Sequence, residues 1–207
     1  FNNSGIPLSN IIVLDSLRDW GIGSYSVSSD SIGAFVVVHE IRYAPNNVNI
    51  YYQLIDSLGN RLGNRTRVND DTTITGRHTN PVVTKRRDGS FIVAWQDPRP
   101  PAVQNGDDIY MQMFDKNGNK IGNNTRVNND IVMLDYQHLP KITSDDAGRF
   151  AIVFTEILDV SGSTYNLLQL YNPDGSPNGN NIRFSNNGSE QYPLISKRGN
   201  GDMVVCF

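Results

Sequence analysis

A glycine followed four residues later by a second glycine recurs along this chain, and this spacing constrains the fold more than any other feature. The pairs are Gly59 with Gly63, Gly118 with Gly122 and Gly175 with Gly179, while Gly5 is followed by Ser9. Successive first glycines lie 54, 59 and 57 residues apart. Six residues before the last three of them stands a glutamine, at Gln53, Gln112 and Gln169. A chain with such a period is one unit repeated, so its copies must stack to form a core.

The second full copy of the repeat contains four short segments with strand character, labelled A to D. They are predicted near 81–85, 90–96, 108–114 and 123–128. Asp88-Gly89 between A and B, and Asn117-Gly118 between C and D, are typical hairpin turns. Strand B is almost continuously apolar, which is typical of a strand covered on both faces. Because no segment shows the 3.6-residue period of a helix, we predict an all-β fold.

Four antiparallel strands repeated every 54–59 residues are typical of a β-propeller, in which sheets called blades stack around an axis. We predict complete blades at 24–70, 80–129 and 139–186, with partial blades at 1–17 and 192–207. Phe207 occupies the position of Trp95 and Phe1 that of Phe114, so the terminal strands would form a blade without strand C. We therefore interpret the chain as a segment of a larger propeller. The alternatives are a closed four-bladed ring and a ring completed by other copies.

Composition and charge exclude several classes of protein. The net charge is −3, and lysine and arginine are scattered singly, so no basic stripe indicates a nucleic-acid partner. No apolar run approaches the roughly 20 residues that a membrane-spanning helix needs. The one cysteine, Cys206, lies in an apolar run and is expected to be a small buried side chain. The start at Phe1 without methionine leads us to expect a processed or excised piece.

The blade motif resembles a family of repeats found in large exported bacterial proteins, most of them uncharacterised. It reads W-x-D-x-R, then D-I-Y-x-Q-x-F-D-x-x-G, then R-V-N, and begins at Trp95, Asp97 and Arg99. In the third copy Phe154 and Glu156 replace Trp95 and Asp97. The resemblance implies a propeller at the cell surface or outside the cell. It is a resemblance of fold, so it implies little about function.

The loops of a propeller divide into two sets. The A/B and C/D turns are short and repetitive, whereas the B/C and D/A loops are long and differ in every copy, so the second set is the predicted binding face. Candidate binding residues on it are Trp20, Arg42, His78, Asp97, Arg99, Asp107, Asp108, Tyr136, His138 and Glu156. Acidic, basic and aromatic side chains of this kind suit a glycan or a protein ligand. Bracing of the loops is the structural alternative for each of them.

Several recurring residues are predicted to belong to the scaffold. The glutamines named above are expected to hydrogen-bond between strands or blades, and Arg67, Arg126 and Arg183 to have a similar role on strand D. Arg99 is expected to fork onto Asp108 and fix the long loop. No metal or cofactor is predicted, because the histidines lack metal-ligand spacing and Asp115 to Asn119 lacks the alternating acids of a calcium loop.

The sequence favours a non-enzymatic propeller of an exported or cell-surface protein, serving adhesion, carbohydrate binding or protein binding. One alternative is a glycan-active hydrolase, with an acid pair drawn from Asp97, Asp108 and Glu156. Another is a structural spacer in a filament or surface layer, with contacts to the rest of a longer chain or to other copies.

Overall fold

The structure is a computed structural model, which describes Ser4 and residues 21–71, 76–99, 106–129, 135–158, 161–185 and 192–207. All regular structure in these residues is β-strand, so the predicted all-β class is confirmed. None of the described residues forms a helix that is long and apolar enough to cross a bilayer. The predicted partial blade 1–17, apart from Ser4, lies outside the described residues, and so does Trp20.

The described strands form one five-stranded sheet, two four-stranded sheets and one two-stranded sheet, and the main strands of each are antiparallel and follow chain order. Blade 1 contains β1 (Ile22–Ser29), β2 (Phe35–Ala44), β3 (Asn47–Ile55) and β4 (Arg61–Arg67), and the short β5 (Gly76–Arg77) pairs in parallel with β3. Blade 2 contains β6 (Thr79–Lys85), β7 (Phe91–Asp97), β8 (Asp108–Phe114) and β9 (Lys120–Arg126). Blade 3 contains β10 (Tyr136–Ser144), β11 (Phe150–Ile157), β12 (Thr164–Tyr171) and β13 (Ile182–Arg183). Blade 4 contains β14 (Leu194–Lys197) and β15 (Met203–Cys206).

The first strands of successive blades contact one another: β1 with β6, β6 with β10, and β10 with β14. Strand A therefore lies on the inner edge of each sheet. Strand D begins earlier than predicted, at Lys120 rather than residue 123, because the second glycine of the pair lies inside the strand. Gly122 has φ of 68°, and the pairing of β8 with β9 shifts register beside it. This backbone conformation favours glycine and accounts for the second glycine of each repeat.

The core consists of apolar layers between neighbouring blades. Phe91, Val93 and Trp95 of β7 pack against Val36, Val38 and Tyr52 of blade 1. Ile92 and Ala94, on the opposite face of the same strand, pack against Phe150 and Ile152 of blade 3. Both faces of strand B are thus covered, as its apolar sequence predicted.

Aromatic rings concentrate in the layer between blades 1 and 2. The rings of Phe91 and Phe114 stack with centroids 4.7 Å apart, and Tyr52 meets both of them edge-on at 5.1 and 4.9 Å. The Tyr52 hydroxyl donates to the carbonyl oxygen of Gly118 at 2.6 Å, so this ring also ties blade 1 to the C/D turn of blade 2.

The two end faces of the stack are uncovered in the described part of the chain. Val27 of blade 1 is 59% exposed, whereas Val83, its equivalent in blade 2, is 6% exposed. Val204 of blade 4 is 41% exposed, whereas its equivalent Ile92 is fully buried. Cys206 lies on the same face of β15 as Val204 and is exposed, so the expectation that it is buried was wrong. No described strand covers that face.

The recurring glutamine fastens strand C to strand D at the glycine bulge. Gln112 Nε2 donates to the carbonyl oxygens of Ile121 and Gly122, at 3.0 and 3.3 Å, and its Oε1 accepts from Asn124 Nδ2 at 2.7 Å. Asn124 Nδ2 also donates to Val68 O of blade 1 at 3.3 Å, which extends the contact between blades. Gln53 Nε2 likewise donates to the carbonyl oxygens of Leu62 and Gly63 in β4, and Gln169 Nε2 donates to that of Gly179, just before β13, so the predicted scaffold role is confirmed.

We expect Gln112→Ala to lower the free energy of unfolding by about 1–3 kcal/mol, because it removes a buried side chain that bonds the carbonyls of Ile121 and Gly122 and the amide of Asn124. Chemical denaturation followed by circular dichroism measures the change. Asn117→Ala, in the exposed C/D turn of the same blade, is the control and is expected to change stability by less than about 0.5 kcal/mol. Equal effects of the two substitutions would argue against the fastening role.

Candidate functional site

A cleft of about 670 Å³ opens on the face that carries the B/C and D/A loops. Its described walls come from the β2–β3 turn of blade 1, the β5 segment and the B/C loop of blade 2. The lining residues are Asn46, Gly76, Arg77, Thr79, Pro98, Gly106 and Asp107. These side chains are mostly polar and provide both donors and acceptors. The cleft therefore lies among the long loops that differ from copy to copy.

Asp107 is the acidic member of this wall. Its Oδ2 accepts from Gln96 Nε2 at 3.1 Å, and its backbone oxygen accepts from Gln137 N of blade 3 at 2.8 Å. Burial raises the pKa of the Asp107 carboxyl, and the charges of Asp97 and Asp108 raise it further, against the opposing effects of Gln96 and Arg77. Asp107 therefore keeps its proton to a higher pH than an ordinary aspartate.

A row of hydrogen bonds runs from Asp107 to blade 1 along the inner strands. Gln96 Oε1 accepts from Asn80 Nδ2, and the backbone N–H of Asn80 donates to Glu40 Oε1 at 2.8 Å. Leu139 N of blade 3 also donates to Gln96 Oε1, at 3.2 Å. Glu40 and Gln96 are equivalent residues of strand B. In blades 1 and 2, this position therefore accepts a hydrogen bond from the residue before the proline of the next blade.

Sequence reasoning missed Glu40, Asn80 and Gln96. Asn80 and Leu139 have positive φ angles of 52° and 55°, which non-glycine residues adopt infrequently. Each directly precedes a proline that opens strand A, and Tyr192 with φ of 67° precedes the third such proline, Pro193. In the sequence, the position before each of these prolines could have indicated this row of hydrogen bonds.

Asp97 is fully buried and is bound from several sides. Trp95 Nε1 donates to its Oδ2 at 2.8 Å, and Arg99 forks onto both oxygens at 2.9 and 2.7 Å. Arg99 also donates to Asp70 Oδ1 at 2.7 Å and lies over the ring of Tyr110, 4.4 Å from its centroid. These contacts join the B/C loop of blade 2 to the loop that follows β4.

The expected pairing of Arg99 with Asp108 was wrong. Arg99 lies two residues after Asp97, and its backbone N–H already donates to Asp97 Oδ1 at 3.0 Å, which brings the guanidinium onto this carboxylate. Asp108 instead lies 3.1 Å from Arg126 Nε and accepts from Asn128 Nδ2 at 2.7 Å. The long loop is thus fixed at its base, by the contact between Arg99 and Asp97.

Glu156 in blade 3 is also bound by the arginine of its strand D. Its Oε2 lies 3.1 Å from Arg183 Nη2, and Arg183 stacks over the ring of Tyr165, 3.7 Å from the centroid. Arg67 in blade 1 contacts Asp71, so the strand-D arginine binds a carboxylate in each of the three blades. The predicted scaffold role of these arginines is confirmed.

The other candidate residues are dispersed over the face. Arg42 is exposed, 3.4 Å from Glu40 Oε2. Tyr136 and His138 are half-buried on β10, and burial lowers the pKa of His138. His78 is buried beneath the cleft, with Nε2 3.1 Å from Asp71 Oδ2 and 3.7 Å from Asp97 Oδ1. Within the described ranges, no three His, Cys, Asp or Glu side chains are arranged to hold a metal ion.

Comparison with known proteins gives a likeness of structure. No protein-family model matches the sequence, and no curated protein matches it. The α-L-arabinofuranosidase of Fusarium graminearum, from glycoside hydrolase family 93 and in complex with arabinobiose, aligns with a TM-score of 0.61 and 12% identity, over 94% of this chain and 61% of that one. The chain has a β-propeller fold.

Two further solved structures are similar. The α-L-arabinanase of Penicillium chrysogenum, complexed with arabinobiose, aligns with a TM-score of 0.59 and 15% identity, over 84% of this chain and 53% of that one. The endo-arabinase of Bacteroides thetaiotaomicron gives 0.55 and 12%, over 86% and 67%. The chain therefore resembles β-propeller glycoside hydrolases in fold and spans between about half and two thirds of their length. At these identities the likeness concerns the fold.

We expect Arg99→Ala to lower the free energy of unfolding by about 3 kcal/mol or more, because it leaves the Asp97 carboxylate buried without its main cationic partner. Arg99→Lys keeps the charge but loses the fork, so its effect should be intermediate. Denaturant titration measures both. Arg61→Ala, at an exposed position of β4, is the control and should be nearly neutral. A neutral Arg99→Ala would show that Asp97 does not depend on Arg99.

Proposed function

We propose that this chain forms part of a glycan-active β-propeller, which holds an oligosaccharide in the cleft and cleaves a glycosidic bond with Asp107 as proton donor. The observation that carries the proposal is the position of Asp107, a carboxyl group with a raised pKa on the wall of an open polar cleft. The fold likeness to arabinan-degrading hydrolases supports it.

Glycoside hydrolysis needs a carboxylic acid that is still protonated when the substrate binds. Asp107 is the candidate for this role because burial and neighbouring carboxylates raise its pKa, and in the described part of the chain its carboxyl group accepts from the neutral Gln96 Nε2. The side chains of Asn46, Arg77 and Thr79 on the same wall offer donors and acceptors for sugar hydroxyl groups. Binding and proton donation are thus assigned to one surface.

The mechanism also needs a second carboxylate, about 5–5.5 Å away in retaining enzymes and about 6.5–9.5 Å away in inverting ones. Among the described residues, Asp97, Asp108 and Glu156 are each bound by an arginine, and Glu40 accepts from Asn80.

A non-catalytic glycan-binding propeller is the second candidate. This candidate is favoured because the arginine-bound carboxylates act as scaffold ion pairs. Asp107 is then the one acid on the described cleft wall, whereas hydrolysis needs two. In both cases the first ligands to test are arabino-oligosaccharides, since two of the similar structures contain arabinobiose. Protein ligands, further contacts within a longer chain and an extracellular or cell-surface location remain proposals supported by the repeat motif.

The substitution Asp107→Asn separates the two candidates. If the propeller is a hydrolase, it should reduce the release of reducing ends from arabinan by about 100-fold or more, because amides do not donate the required proton, while arabinobiose binding by calorimetry changes little. The wild-type rate should fall as pH rises through the pKa of Asp107, which lies above the ordinary value of 3.8.

The control is Asp174→Asn, in the exposed C/D turn on the opposite face, which should leave both binding and cleavage unchanged. Arg77→Ala should weaken binding in both cases. Binding without cleavage by the wild-type protein would favour the second candidate. Absence of binding across a panel of plant and algal polysaccharides would contradict both.

A further inference from the structure

Both ring nitrogens of His78 face oxygen atoms that only accept hydrogen bonds. Nδ1 lies 2.8 Å from the carbonyl oxygen of Val48, and Nε2 lies 3.1 Å from Asp71 Oδ2 and 3.7 Å from Asp97 Oδ1. A neutral imidazole carries one N–H and can offer it to only one of these sides, whereas an imidazolium carries an N–H on each nitrogen. Nε2 lies at ion-pair distance from the two carboxylates and forms no hydrogen bond of good geometry with them. The ring is 1% exposed, which makes an unsatisfied contact costly. The geometry therefore calls for a protonated ring.

Both carboxylates beside the imidazole also have other donors or cations as partners. Asp97 accepts from Trp95 and from the Arg99 fork. Asp71 accepts from Asn69 Nδ2 at 2.7 Å and lies 3.4 Å from Arg67 Nη2.

The charges around the ring include acids and bases from several elements. Three carboxylates are present in the cluster, counting Asp70, which binds Arg99, and two guanidinium groups, those of Arg67 and Arg99. Lys120 acts on the outer acid, Asp70, while Asp71 and Asp97 are the carboxylates that face the ring itself. Asp107 also acts on Asp97 electrostatically, and its raised pKa reduces its negative charge near the cluster.

His78 lies directly behind the cleft wall. Its backbone N–H donates to Val48 O at 3.1 Å, the same oxygen that its Nδ1 contacts. Gly76 packs so closely on the ring that an added Cβ would lie 2.9 Å from Cε1 of His78. Gly76 and Arg77 line the cleft and form β5, which pairs with β3 of blade 1. Through Asp97 the ring also contacts blade 2.

We propose that His78 is a pH-dependent latch, a positioning residue whose imidazolium joins blades 1 and 2 and fixes the Gly76–Arg77 wall of the cleft. The latch itself is independent of the function proposed above; its effect on ligand affinity rests on that function. When the ring loses its proton, one of its two sides faces an acceptor without a donor, and the contact between the loop and the blades weakens.

The pH range follows from the sign of the shift. Burial acts to lower the pKa of His78, but the contact with Asp71, the charge of Asp97 and the Val48 carbonyl together raise it above the ordinary value of 6.5. A folded-state pKa above the unfolded value means that the latch contributes its full stability below pH 6.5 and loses it as pH rises through the folded pKa.

The first experiment follows the His78 ring by NMR during a pH titration of the wild-type protein. We expect a midpoint above 6.5 and signals of a ring protonated on both nitrogens at lower pH. Hydrogen exchange of the His78 amide, corrected for its intrinsic pH dependence, should accelerate about tenfold as the ring deprotonates. A midpoint below 6.5 would overturn the proposal, and this measurement needs no variant that must fold.

The second experiment compares His78→Gln with His138→Gln. His78→Gln should remove the loss of stability above pH 6.5, so that its unfolding free energy becomes flatter with pH than that of the wild type. His138 is the matched control: burial lowers its pKa, so His138→Gln should change the acidic side of the profile. Identical pH slopes for His78→Gln and wild type would contradict the latch.

Arabinobiose affinity, measured on both sides of the His78 midpoint, tests the link to the cleft. It should weaken with deprotonation in the wild type and stay constant in His78→Gln. Absence of any binding would contradict the proposed function and leave the titration result intact. Binding whose affinity does not change across the midpoint would contradict the coupling of the latch to the cleft.

Discussion

The whole structure depends on one constraint, which is that the second strand of each sheet has no face turned to solvent. Alternate residues of β7 belong to two different cores, one shared with blade 1 and one with blade 3. A sheet of this kind is not stable alone, so the blades hold only as a stack. Stacking also brings the loop after β4 beside the loop after β7. For that reason Asp71 and Asp97, which are distant in sequence, meet at His78.

On the loop face, the partners of each acidic side chain distinguish scaffold residues from the candidate catalytic residue. Asp97, Asp108 and Glu156 each have an arginine within 3.1 Å, and all three are buried, which is how a scaffold keeps charge inside a protein. Asp107 accepts from a neutral amide instead, and its carboxyl group borders open space. Burial and the nearby carboxylates Asp97 and Asp108 favour the protonated form, so this group suits proton transfer better than charge pairing.

The sequence predicted the repeat, the four strands of each blade and the binding role of Gln112 toward strand D, because these features recur at fixed spacing. It missed the row from Glu40 to Asp107, because the equivalent residues Glu40 and Gln96 differ in chemical type and neither is a turn residue. Strand pairing alone also misassigned the partner of Arg99, since a two-residue turn decides where that guanidinium lies. Contacts between blades depend on the angle at which blades stack, which no local pattern encodes.

The exposed end faces near Val27 and Val204 are opposite halves of the same joint, since their equivalents Val83 and Ile92 are buried between blades. Such a joint is directional, because the face on the Val204 side matches the face on the Val27 side of another stack. Further blades that close the ring would satisfy both halves within one molecule. Left open, the same complementarity favours head-to-tail polymerisation, so growth into filaments competes with closure whenever these faces remain accessible.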